Sequence, residues 1–218
     1  MKLQGFTQFK IDKLKFNSGP TERHQEYIGE GTPLLTISLD DIPVKHPPLN
    51  SSDKVKLELQ YVKSFQSTET ANGLAEKWDR GFLNRMEAVI NESGFNFDMD
   101  YFEKLADTLR NLVIILKYKY NRPRPIQLAE YHNIELKEFE TDTSNTPSYP
   151  SGHTLQSMGV VLVATELYPD EELKEVLLQM ANDVADSRIA GGLHLPSDNE
   201  YAVEIARYIN KSIIKLKQ

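Results

Sequence analysis

From Ser51 to the end of the chain, apolar residues return every three or four positions, a period that amphipathic helices bury. Val55, Leu59, Val62 and Phe65 follow Ser51 and Ser52, either of which can cap a helix. A second stripe holds Trp78, Phe82, Met86, Val89 and Ile90 and stops at Ser93-Gly94; Trp78 and Phe82 read as core rather than as a stacking platform. Asp98 or Asp100 opens a third, with Phe102, Leu105, Leu109, Leu112, Val113 and Leu116 on one side. Leu155, Met158, Leu162 and Thr165 share one face after Pro150-Ser151. Asp170 starts the cleanest face, Leu173, Val176, Leu177, Met180, Ala181, Val184 and Ala185. Pro196-Ser197-Asp198 opens the last, with Ala202, Ile205, Ala206, Ile209, Ile213 and Leu216 inward. Residues 51–218 therefore read as an all-α helical bundle.

Residues 1–50 look irregular, punctuated by Pro20, Pro33, Pro43, Pro47 and Pro48, with strand character only over residues 34–39. This arm is expected to pack over the helical body or to form a homo-oligomer contact. At 218 residues the whole fits one domain with a substantial core.

Composition removes several functions. There is no cysteine, hence no disulfide, thiolate zinc site or cysteine nucleophile. A formal net charge of −7 argues against a general nucleic-acid binder. The longest apolar runs, such as Leu112 to Leu116, are too short to span a bilayer, and polar sequence follows Met1-Lys2-Leu3-Gln4-Gly5 where a secretory leader would be apolar. A soluble, cytoplasmic protein is expected.

Three segments near helix ends carry groups suited to a tetrahedral oxyanion. Pro150-Ser151-Gly152-His153 starts a helix, where free N–H groups and the dipole favour an anion; Gly152 permits close approach and His153 titrates near neutrality. Lys117, Arg124 and Arg188 supply cations, arginine being suited to bidentate contact with phosphate oxygens. His153 and His194 suit the two proton or nucleophile roles of phosphoester hydrolysis, and Asp198, four residues past His194, is placed to accept its ring N–H. No His/Asp/Glu cluster has metal-ligand spacing, so the cations are expected to stabilise charge, with no metal and no cofactor. Lys119 and Arg122 fall outside the pattern and read as surface or rim charges. The acidic loop from Ile126 to Tyr149 is expected to edge the site.

Lys117, six residues, then Arg124-Pro125; Pro150-Ser151-Gly152-His153; and Ser187-Arg188, five residues, His194, three residues, Asp198. This series resembles the three-part signature of the phosphatidic acid phosphatase type 2 and vanadium haloperoxidase superfamily. Ser148 to Thr154 is also similar to the soluble class A acid phosphatases, although Leu195 follows His194 where those enzymes commonly carry an aromatic residue. The resemblance implies that His194 attacks phosphorus and forms a phosphohistidine, oriented by Asp198. His153 would protonate the leaving alkoxide and then activate water. Lys117, Arg124, Ser151, Gly152 and Arg188 would hold the phosphoryl oxygens. The implied activity is a metal-independent acid-type phosphatase acting on a small soluble phosphoester.

Two other readings stay open. The same pocket holds vanadate in the haloperoxidases, with His194 as its ligand. A non-catalytic phosphate-binding bundle is the third, disfavoured because binding alone needs neither histidine.

Overall fold

The computed structural model describes residues 8–17 and 19–214, and every structural statement below concerns these residues. Besides the helical residues 8–12, nine α-helices carry the fold among the described residues, and no strand occurs there: the residues expected to be extended form a single bridge, Leu35 with Ile213. Residues 8–12 and the helix α1 (Glu22–Glu30) are both helical within the arm, which the sequence presents as irregular. The α1 sequence buries no residue, so periodicity could not announce it; the cap from Thr21 to the His24 N–H does.

The body runs α2 (Asp53–Gln66), α3 (Leu74–Asp79), α4 (Phe82–Glu92), α5 (Met99–Tyr120), α6 (Pro125–Ala129), α7 (Gly152–Leu167), α8 (Glu171–Ala190) and α9 (Pro196–Ile209). Their starts follow local chemistry. Ser52 accepts from the Val55 N–H, Asp98 (and not Asp100) from Tyr101, and Asp170 from Leu173. The stripe containing Trp78 and Phe82, expected as one helix, is two. Arg80 is extended and Gly81 takes φ 77°, a left-handed conformation that glycine adopts without penalty. The expected loop from Ile126 also begins inside α6, with Pro125 at its first position.

The α7 helix is the centre of the bundle. It packs against α5, α8 and α9. Thr154, Ser157, Gly159, Val160, Val161 and Val163 are buried with Leu155 and Met158, so it has no single inward face. Leu162 and Thr165 are only partly buried. The main core joins these helices with Trp78, Phe102, Leu105, Leu109 and Tyr201. A smaller cluster of Val55, Leu59, Val62, Leu128, Ile189 and Leu195 ties α2 to the ends of α6 and α8. The last helix stops at Ile209, a 3-10 turn covers Asn210–Ser212, and Leu216 lies outside the described residues, as does the Met1–Gly5 segment. No helix among the described residues is long and apolar enough to cross a membrane.

One turn is steric in origin. Gly192, between α8 and His194, has φ 66°, and a Cβ there would lie 2.2 Å from the Lys137 carbonyl oxygen. Gly192→Ala is expected to destabilise the protein by about 2–4 kcal/mol, from strain at positive φ plus the clash with backbone. Urea unfolding checks it; a loss under 1 kcal/mol would mean that the turn relaxes freely.

Candidate active site

The three segments converge at the ends of α5, α7 and α8. Lys117 sits in the last turn of α5, 3% exposed, and donates to the carbonyl oxygens of Pro147 and, at 3.4 Å, Ser148. Asn121 ends that helix in the left-handed region at φ 50°, and Pro123 leads to Arg124, buried as the N-cap of α6. Arg124 donates through Nε to Thr146 O at 2.8 Å, through Nη2 to Thr146 Oγ1 at 3.1 Å and through Nη1 to Leu193 O at 2.8 Å. Its Nη1 also lies 3.2 Å from His194 Nε2.

Ser151 occupies the N-cap of α7, but its hydroxyl pairs with Thr154 Oγ1 at 2.9 Å instead of capping, and its N–H donates to Asp198 O at 3.0 Å. Gly152 presses on α5: a Cβ would lie 3.3 Å from Val113 Cγ1 and 3.6 Å from Lys117 Cε. The first two segments therefore meet at Gly152, and the second and third meet at Ser151.

His194 and Asp198 form a buried pair, Nδ1 to Oδ2 at 3.3 Å. A carboxylate only accepts and a guanidinium only donates, so the Nδ1 proton faces Asp198 and the Nε2 lone pair faces Arg124. Burial, with the Arg124 and Lys117 charges, holds the His194 imidazole well below its usual value, so it is neutral. Burial by itself pushes the Asp198 carboxyl up. Arg122, His194 and the Leu195 N–H outweigh burial and hold it below the usual carboxylate range. Asp198 accepts from Leu195 N at 2.8 Å from the third position of α9, so orienting His194 and closing the helix start are done by one carboxylate.

The other half of the site is organised by a residue that no motif identified. Asp79, at the end of α3, accepts from Arg188 Nη1 on Oδ1 at 3.2 Å, while its backbone carbonyl accepts from His153 Nε2 at 3.2 Å. Thr141 Oγ1 holds the same carboxylate at 3.0 Å. Arg188 is 1% exposed and also donates to Ser187 Oγ and Ala75 O. Burial, then the Arg188 charge, lowers His153 to about 3 against weaker support from Asp79. Burial, with Arg124 nearby, likewise lowers Lys117 well below its usual value.

Lys119 is exposed, as expected, but Arg122 is not a rim charge. It is 2% exposed and bonded to Asp198 Oδ1 and, at 2.9 Å, to Ser197 Oγ. Glu58 on α2 closes the network, accepting from Ser197 N at 3.1 Å and Ser197 Oγ at 2.8 Å, with Arg122 Nη2 3.8 Å away. The alternating arginines of Arg122-Pro123-Arg124-Pro125 were the available signal: extended backbone puts residues two apart on one side, so an inward Arg124 brings Arg122 with it. The loop histidine His132, without a sequence partner, contacts Asn50 O at 2.7 Å, and His24 of the arm contacts Tyr118 Oη at 2.8 Å. Among the described residues no group of three or more His, Asp or Glu side chains is arranged to hold a metal ion.

The PAP2 superfamily model matches residues 106–216, just over half of the chain, and this span includes every candidate residue of the three segments. The protein belongs to the PAP2 superfamily. Among curated relatives of this PAP2 superfamily member, an acid phosphatase of Zymomonas mobilis is 26% identical over 192 residues, covering 82% of this chain and 67% of that enzyme. A non-specific acid phosphatase of Providencia stuartii is 32% identical over 90 residues, 41% of this chain and 35% of that protein. The fold is similar to that of a bacterial vanadium-dependent iodoperoxidase, with a TM-score of 0.57 at 19% identity, over 81% of this chain and 53% of that one. The likeness to that structure establishes the all-α architecture. Asp79 and Glu58 lie outside the family match.

Proposed function

We propose that this protein is a phosphomonoesterase that works through a phosphohistidine on His194. The observation that carries the reading is the His194–Asp198 pair. With Nδ1–H committed to a buried carboxylate, Nε2 is left as a neutral lone pair beside a guanidinium. A binding site for phosphate needs no such group. The acid phosphatase relatives support the same class of reaction.

In this mechanism Lys117, Arg124 and Arg188, with the Ser151 hydroxyl and the N–H groups of Gly152 and His153, hold the non-bridging oxygens. Each cation exchanges a carbonyl or carboxylate contact for one to the ester, and the negative charge offsets the burial that depresses Lys117 and His153. His194 Nε2 attacks phosphorus as the P–O ester bond breaks, and protonated His153 gives its proton to the leaving oxygen. Neutral His153 then takes a proton from water, which attacks phosphorus. The P–N bond breaks, its electron pair returns to Nε2, and phosphate leaves.

The protonation states set a pH dependence. An acid at about 3 is protonated in a fraction that grows tenfold for each unit by which pH falls toward that value. Since kcat/KM reports the free enzyme, it should rise as pH drops below neutrality, until His194 is itself protonated. His153→Asn cannot donate this proton, so its profile should lose that rise. A wild-type profile flat from neutral to acidic pH would remove His153 from the acid role.

Vanadate is a tetrahedral oxyanion that the same cations and N–H groups fit, with His194 Nε2 as its ligand; bound there it would supply peroxide activation for halide oxidation. Hydrolysis of an aryl phosphate, inhibited by vanadate, tests the phosphatase reading. Halide oxidation on adding vanadate and peroxide, with no hydrolysis, would replace it by the peroxidase. Neither activity, with phosphate binding retained, would leave a binding protein.

A further inference from the structure

We propose that the cavity beside His153 receives the organic half of the substrate and selects an uncharged alcohol bearing an aromatic or branched apolar group. This rests on the phosphomonoesterase reading. The cavity is about 290 Å³ and is walled by Trp78, Phe82, Leu83, Ala106 and Val160. It exists because α3 and α4 break at Arg80-Gly81: Trp78 lies in the last turn of one helix and Phe82 begins the next, their rings 6.1 Å apart and tilted by 52°.

Its place relative to the chemistry identifies the guest. His153 and Asp79 line it, whereas Lys117, Arg124, Ser151, Gly152 and His194 do not. In-line displacement puts the leaving group opposite the nucleophile. A cavity that meets the site at His153 and excludes His194 is on the leaving-group side.

The walls set its chemistry. Gln156 and Ser157 also border the cavity, but they donate to Ala106 O at 2.9 Å and Thr154 O at 3.3 Å. Asn84 and Arg80 also border the cavity but are exposed to water; at the apolar walls a polyol would lose water with few donors in return, whereas a ring gains from burial. Charge selects further. Arg80 is paired with Asp142 at 3.3 Å, Asp79 with Arg188, and the Glu103 carboxylate is exposed at the lining. A leaving group with a second phosphate or a carboxylate would meet Glu103. The volume admits one ring with a short linker and no dinucleotide or long lipid chain.

The test compares 2-phenylethyl phosphate, ethyl phosphate and glycerol phosphate, all esters of aliphatic hydroxyl groups. Wild-type kcat/KM should favour the phenylethyl ester over the ethyl ester by about tenfold or more, with glycerol phosphate no better than ethyl. Phe82→Ala should cut that preference to about threefold or less, while ethyl phosphate turnover and inhibition by inorganic phosphate stay within about twofold. Ala106→Phe, a filling substitution on another wall, should lower phenylethyl turnover and spare ethyl. Equal kcat/KM for phenylethyl and ethyl esters, or a preference for glycerol phosphate, overturns the proposal. Calorimetry with methylphosphonate and 2-phenylethylphosphonate separates it from the reaction. Tighter binding of the phenylethyl compound without hydrolysis of any ester supports the pocket and overturns the phosphatase. Hydrolysis of ethyl phosphate with no phenylethyl advantage in binding or turnover does the reverse.

Discussion

His194→Ala should lower kcat for aryl phosphate hydrolysis by about 10⁴-fold or more, with inorganic phosphate still bound. In the proposed mechanism the side chain contributes the lone pair that attacks phosphorus, and no neighbouring group can replace it. Arg124 only donates, and Asp198 is held below the usual carboxylate range behind the ring. The cations and the α7 N-terminus proposed to hold the oxyanion are untouched, so affinity for phosphate should change far less than turnover. Rapid mixing with labelled substrate, followed by alkaline trapping of acid-labile phosphohistidine, should find label on wild type and none on the variant. A variant retaining a tenth of wild-type kcat, or wild type that never acquires label, would remove His194 from the nucleophile role. Asp198→Asn should fall between the two, since asparagine can present its amide N–H to Nδ1 and favour the wrong tautomer.

The second large effect concerns Arg122, a residue with no assigned contact to the reacting atoms. Arg122→Ala is expected to destabilise the protein by about 3–5 kcal/mol, because it leaves two carboxylates buried beside an unfilled space. Asp198 is fully buried and Glu58 is 7% exposed, and both face the guanidinium. In a domain of this size the loss corresponds to a fall in melting temperature of roughly 10 °C. Glu58→Gln should cost less, since the amide oxygen can still accept from Ser197. Chemical denaturation of the three proteins decides this. An Arg122→Ala loss below 1 kcal/mol would mean that the carboxylates find water or take up protons, and that the network contributes little.

This network links segments that a motif search treats separately. Arg122 belongs to the exit from α5, Asp198 to α9 and Glu58 to α2, outside the family match. The pair that orients His194 is thus braced from a helix that carries no part of the signature. Asp79 does the same for the opposite half, joining α3 to Arg188 and His153.

Sequence alone determined the helical class and singled out the residues of the candidate site. Both are local in origin. Apolar spacing in α5, α8 and α9 sets which face turns inward, and Ser52, Asp98 and Asp170 mark helix starts through bonds to N–H groups three residues away. Lys117, Arg124, Ser151, Gly152, His153, Arg188, His194 and Asp198 were legible because they recur at fixed spacings, and His194 reaches Asp198 within a single stretch of chain. Tertiary structure decided what depends on distant partners. Whether Arg122 is a rim charge or a buried brace turns on Glu58 and Asp198, 64 and 76 residues away in sequence (122−58; 198−122). Asp79 gains its partner 109 residues later. The α1 helix, with no buried stripe, is held through Asn111, which donates to Gly31 O at 2.9 Å and Glu30 Oε2 at 3.1 Å. Hydrogen bonds and burial act over a few ångströms in space, so a group's charge environment belongs to the fold and cannot be read from its neighbours in the chain.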